Sequence, residues 1–160
     1  MYKDKNILIT GGNSGIGFFA TINLLKSKNN LYILIRSAER KGEFLNKIQQ
    51  YFDIKYLNKY LNIIENIDLS DLENINKIKD YFLKKKTFLD VIILNAGLQY
   101  TGSRYPKVSK QGIELTFAVN HLAHFYLANV LIGLMNDQKE SRIIITSSDV
   151  HDPMSPGGNV

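Results

Sequence analysis

Thr10-Gly11-Gly12-Asn13-Ser14-Gly15-Ile16-Gly17 is the stretch that decides the fold of this chain. It directly follows Ile7-Leu8-Ile9, an apolar run that reads as a buried strand, and it opens a segment over 16–28 that reads as a helix. Glycine permits positive φ and lets a backbone approach a ligand closely. The unpaired N–H groups and the positive dipole end of the following helix suit an anion such as a pyrophosphate. One turn therefore suggests a nucleotide as ligand and a parallel α/β sheet as scaffold.

Outward from this turn, strand and helix signals alternate without an internal repeat or a low-complexity linker. Strands are expected over 6–10, 31–35, 61–67, 89–94 and 142–146. Helices are expected over 16–28 and 38–51, from Ser70 through the face Leu72, Ile75, Ile78 and Phe82, and over 113–135. Ser70-Asp71-Leu72-Glu73 has the spacing of a capping box, in which Ser70 and Glu73 satisfy each other's backbone donors. A polar stretch over 99–112 precedes the long helix, and 152–158 reads as loop. Strands of four to six apolar residues without alternation fit a parallel sheet covered on both faces. The expectation is a doubly wound, Rossmann-like α/β fold of about five strands with helices on both faces.

Bulk properties narrow the function. The 160 residues, 44% of them hydrophobic, suffice for one domain with a real core. No cysteine is present, which excludes disulfides and thiolate metal sites. Met1 to Lys5 run straight into the first strand with no signal peptide, so a cytoplasmic setting is the default. The stretch 117–135 is broken by Asn120, His121, His124 and Asn129, which favours a buried helix over a membrane span. The net charge is +5, with a Lys84-Lys85-Lys86 cluster. Lysines at a helix C-terminus complement its dipole, and no aromatic-interleaved basic stripe accompanies them, so no nucleic-acid partner is expected.

The glycine spacing is G-x-x-x-G-x-G, not G-x-G-x-x-G, and no Gly-Lys-Ser/Thr follows to make a P-loop. This turn, together with Asn95-Ala96-Gly97, Asn120-His121-Leu122-Ala123-His124-Phe125 and Ser148, resembles the short-chain dehydrogenase/reductase family. The wording around Asn120 is similar to its retinol dehydrogenase-like and protochlorophyllide reductase-like branch. The resemblance spans nearly the whole chain but only about the N-terminal half of a typical member. It implies that Gly11, Asn13, Ser14, Gly15, Ile16 and Gly17 hold the pyrophosphate. It implies that Asp68, with Leu69, meets the adenine, and that Asn95, Ala96 and Gly97 border the nicotinamide half. It also implies two catalytic residues: Asn120, which helps bind a water in a proton relay, and Ser148, which hydrogen-bonds a small-molecule substrate. Ser147 is the competing choice for Ser148, and Asp68 read without the family is a residue just ahead of a helix cap.

Cofactor preference has a physical reading. An acidic residue at the end of strand 2 would accept from the ribose hydroxyls and repel a 2′-phosphate. Here Arg36 stands at that point, with Ser37 and Arg40 close by in sequence. A guanidinium pairs with phosphate through two parallel hydrogen bonds. NADP(H) is therefore favoured over NAD(H).

Family chemistry also needs a Tyr-x-x-x-Lys pair beyond Ser148, and the 12 residues that follow contain neither Tyr nor Lys. Tyr51/Lys55 and Tyr81/Lys85 match the spacing but precede Ser148 on elements expected to flank the sheet. His121 and His124 lack a third metal ligand, so no metal is expected, and His151 reads as a loop residue or a substrate-entrance residue. The expectation is thus a single dinucleotide-binding domain over 1–160, forming the N-terminal part of a longer, NADP(H)-dependent oxidoreductase. The substrate would be a carbonyl, an alcohol or a conjugated double bond. A non-catalytic dinucleotide-binding module is the alternative. A chain ending at Val160 would expose the flank of strand 5 and of the long helix, which leaves homo-oligomers open.

Overall fold

In a computed structural model, residues 3–99, 104–137, 140–148 and 154 are described. Five strands form one sheet: β1 Asn6–Ile9, β2 Asn30–Ile35, β3 Leu61–Glu65, β4 Val91–Leu94 and β5 Arg142–Ile145. Their order is β3-β2-β1-β4-β5 and every pairing is parallel. The chain winds outward from β1 to β3, then returns past β1 to build β4 and β5. The winding direction thus reverses between β1 and β4, where an open α/β sheet leaves a crevice at the carboxyl ends of its strands.

Alternation along each strand divides the core in two. Ile7, Ile9, Leu31, Ile33 and Ile35 face the helices α1 Gly15–Lys26, α2 Ala38–Ile48 and α3 Ile54–Tyr60, packing on Phe18, Leu25, Phe44, Ile48 and Leu57. Leu8, Tyr32, Leu34, Ile92 and Leu94 face α4 Glu73–Lys85 and α6 Ala123–Leu131, packing on Ile75, Ile78, Phe82, Leu127 and Leu131. Burying each such side chain fully is worth roughly 1.5–3 kcal/mol. Both faces of β1 are sealed, as the apolar run requires.

Four local expectations are corrected. The second helix ends at Ile48 rather than residue 51, and α3 follows it unannounced. Asp53 caps α3 by accepting the Tyr56 N–H at 2.8 Å, and the Phe52, Tyr56 and Tyr60 rings stack along it at 5.1 and 4.7 Å. The capping box does not form: α4 starts at Glu73 after Leu72, which supplies no side-chain cap. Asp68 instead accepts the Ser70 N–H at 2.8 Å, in the place the Glu73 carboxylate would take in a capping box, and Asp71 accepts the Glu73 N–H at 3.1 Å, where a carboxylate outcompetes the serine hydroxyl.

The long helix is composite: α5 Leu115–Phe117, a π turn Ala118–Leu122, then α6, then a 3-10 turn Ile132–Leu134. Glu114 starts it, accepting the Phe117 and Thr116 N–H groups at 2.7 and 2.8 Å, and these bonds hold its carboxyl below the usual range. Nor is this helix fully buried. Leu115–Leu134 is long and apolar enough to cross a membrane by length and composition, with a third of its most apolar window buried in the fold. Its inner side lies on the sheet, while Phe117, Phe125 and Ile132 face outward.

The lysine cluster lies where expected, with Lys84 and Lys85 in the last turn of α4 and Lys86 as its left-handed C-cap. His151 and the loop expected over 152–158, apart from Met154, lie outside the described residues.

Candidate functional site

The carboxyl ends of β1, β2 and β4 open onto a cleft of about 770 Å³. Gly11, Asn13, Ser14, Gly15, Ile16 and Gly17 line it from the β1–α1 turn, Arg36 from the end of β2, Asp68 and Leu69 from beyond β3, and Asn95, Ala96 and Gly97 from beyond β4. The fold thus gathers four segments far apart in sequence onto one surface.

The glycine turn is shaped by contact as well as by torsion. Gly11 has φ +66°, and a Cβ there would stand 2.9 Å from the Ala96 Cα. A Cβ on Gly17 would strike the Gly11 carbonyl oxygen and the Asn95 side chain. The turn therefore packs directly on Asn95 and Ala96, with no room for a side chain at Gly11 or Gly17. Ser14 precedes α1 without capping it through its side chain, and the Phe18 N–H bonds the Ser14 carbonyl at 3.0 Å. The first-turn amides of Gly15, Ile16 and Gly17 consequently face the cleft at the positive end of the α1 dipole. These open amides fit an anion.

Thr10 ties the turn to β4. Its hydroxyl oxygen accepts the Asn95 and Ala96 N–H groups, both at 2.8 Å, while the Asn95 amide donates to the Thr10 carbonyl at 3.2 Å. Arg36 lies directly after β2, exposed, and no carboxylate pairs with it among the described residues. Ser37 accepts the Arg40 N–H at 3.3 Å and so starts α2 beside it. Arg40, paired with Glu43 at 2.9 Å, and Lys47 line the same end of the cleft.

The two candidate catalytic residues stand outside the cleft wall. Asn120 lies in the π turn, and its side chain closes a reciprocal pair with Leu98, accepting the Leu98 N–H and donating to the Leu98 carbonyl, each at 2.8 Å. That pairing satisfies a polar side chain in an apolar helix and clamps the loop after Gly97. Ser148, like Ser147, lies exposed just past β5.

Thr146, which the sequence reading passed over, does line the cleft, and its hydroxyl donates to the Asn95 side-chain Oδ1 at 3.4 Å. Its place at the end of an expected strand was the available signal. Lys47, Ser70 and Val119 also line the cleft, though none of them was expected at the site.

The spacing-matched tyrosines lie elsewhere. Lys85 donates to Asn62 near the start of β3 at 2.6 Å, so Tyr81 and Lys85 sit at the opposite end of the sheet. Tyr51 and Lys55 share no helix, since α2 ends before one and α3 holds the other.

A five-stranded parallel sheet in this order, with a glycine turn at its switch point, defines a Rossmann-type α/β protein. A family model described as short chain dehydrogenase matches residues 5–160, and the chain belongs to that family. It is 31% identical over 153 residues to retinol dehydrogenase 14 of Mus musculus, covering 92% of this chain and 45% of the relative. It is 27% identical over 165 residues to the chloroplastic protochlorophyllide reductase A of Arabidopsis thaliana, covering 99% of this chain and 38% of the relative. The chain thus spans less than half the length of these relatives. Among solved structures, the Pseudomonas aeruginosa RhlG/NADP active-site complex is similar in fold, with TM-score 0.75 and 22% identity over 96% of this chain and 58% of that one.

Proposed function

We propose that this chain forms the NADP(H)-holding part of an oxidoreductase that moves a hydride between nicotinamide and a carbonyl/alcohol carbon or a conjugated double bond of a small molecule. The observation that carries the cofactor preference is Arg36: a cation with no carboxylate partner among the described residues lines the cleft where NAD-binding sheets of this type place an acid.

In this reading the amides of Gly15, Ile16 and Gly17 hold the pyrophosphate, and Arg36 pairs with the 2′-phosphate, with Arg40 and Lys47 adding positive charge nearby. Asp68 meets the adenine. Asn95, Ala96 and Gly97 form a narrow, small-residue wall along the nicotinamide half. Asn120 holds that wall from behind through Leu98, and Ser148 approaches the substrate oxygen from the β5 side. The cofactor, when bound, supplies the hydride chemistry; the protein supplies position and charge. We place this activity in the cytoplasm, with Leu115–Leu134 lying on the sheet.

Titration of the chain with NADPH and with NADH, followed by nicotinamide fluorescence, tests the reading. NADPH is expected to bind the more tightly. A preference for NADH would overturn the role given to Arg36.

A further inference from the structure

His124 is buried, at 6% exposure, and the proposal above gives it no task. We propose that His124 is a positioning residue: neutral, with its proton on Nδ1, it takes the hydroxyl hydrogen of Thr10 and thereby fixes the Asn95-Ala96-Gly97 wall of the cleft. The functional part of this inference rests on reading the cleft as a dinucleotide site.

The assignment follows from counting hydrogens and lone pairs. A threonine hydroxyl offers two lone pairs and one hydrogen. Both lone pairs of the fully buried Thr10 are taken, because the Asn95 and Ala96 amides at 2.8 Å can only donate. The third neighbour of that oxygen is His124 Nε2, at 2.9 Å. Only the hydroxyl hydrogen is left for this contact, so Nε2 accepts and carries no proton. The imidazole proton then lies on Nδ1, 3.2 Å from the carbonyl oxygen of Asn120, which can only accept. Each group on the path has a single role: the two amides donate to Thr10, Thr10 to His124, and His124 to Asn120.

Burial supports the neutral form, since desolvation is the main influence lowering the imidazole pKa. The Asn120 carbonyl opposes it and the neighbouring His121 adds to it. A protonated Nε2 would face an oxygen with no lone pair to spare.

His124 does not line the cleft and acts through Thr10 alone. Four residues before it on the same helix, the Asn120 side chain clamps Leu98. One stretch of helix thus grips the cofactor wall at both ends, through Thr10 at Asn95 and Ala96 and directly at Leu98.

The test compares the wild-type chain with His124→Phe, which keeps a ring but removes both polar contacts, and His124→Gln, which restores an acceptor toward Thr10. A long-range 15N–1H spectrum of the wild type should show a protonated Nδ1 and an unprotonated Nε2; a protonated Nε2 overturns the proposal. Hydrogen exchange at the Asn95 and Ala96 amides should accelerate roughly tenfold or more in His124→Phe and return toward wild type in His124→Gln. NADPH affinity should follow the same pattern. Unchanged exchange in His124→Phe, or equal loss in both variants, would reduce His124 to packing and overturn the proposal. Should His124→Phe fail to fold, the wild-type spectrum and His124→Gln still decide. A wild type that binds neither dinucleotide would remove the cofactor reading alone, because the spectrum and the amide exchange need no ligand.

Discussion

β1 and β5 carry nearly the same chemistry, Asn-Ile-Leu-Ile and Arg-Ile-Ile-Ile, yet the fold treats them differently. Ile7, Leu8 and Ile9 are 0% exposed, whereas Ile144 and Ile145 are 41% and 66% exposed. β1 is paired on both edges and covered on both faces; β5 is paired on one edge only among the described strands. Apolar strand composition thus marks membership of a parallel sheet, but what covers the strand decides its burial. The same gradient runs through the site. Residues assigned to the cofactor cluster on the sealed part of the sheet, while Ser148 follows the exposed strand.

The largest effect should come from breaking the sealed side. Ile9→Ala is expected to cost about 2–5 kcal/mol in urea denaturation through lost burial and a cavity. Next, Arg36→Asp should weaken NADPH binding by roughly ten- to a hundredfold while leaving stability unchanged, since it removes charged hydrogen bonds from an exposed position. An unchanged NADPH affinity would remove Arg36 from the site.

A smaller effect concerns acid. The pKa of His124 is lowered in the fold, chiefly by burial. The unfolded chain therefore takes up a proton first as pH falls through about 6.5, and this part of the stability is lost below that pH. His124→Gln should flatten that part of the stability profile, and an unaltered acid profile would argue against a neutral imidazole in the fold. Smallest of all, Ile145→Ala should change stability by less than about 0.5 kcal/mol, and a core-sized loss would mean that β5 is covered.

Much of the fold was legible because its signals were local. The apolar runs placed all five strands, and the glycine turn marked the junction between β1 and α1. Ile75, Ile78 and Phe82 showed the buried face of α4 by spacing alone. What was missed depended on competition or on distance. Ser70 had the right neighbours for a cap, but Asp68 took its N–H and Asp71 took the Glu73 N–H that its hydroxyl needed. α3 carried its signal in the Asp53 cap and the Phe52, Tyr56 and Tyr60 spacing, a seven-residue helix easily merged with its neighbour. Asn120 in the π turn pairs with Leu98, 22 residues away, and no window on the helix itself shows that. Thr146 and His124 joined the site or its support only through Asn95 and Thr10, which are distant in sequence.

The central claim is that the cleft between the β1 and β4 ends holds a dinucleotide. Amide shift mapping of the 15N-labelled chain during titration with NADPH tests it most directly. The account predicts saturable changes at Gly11, Gly15, Gly17, Arg36, Asp68 and Ala96, with α3 and the outward Phe117 and Phe125 unmoved. Saturable changes confined to α3 or to that outward helix face, with the glycine turn silent, would contradict it.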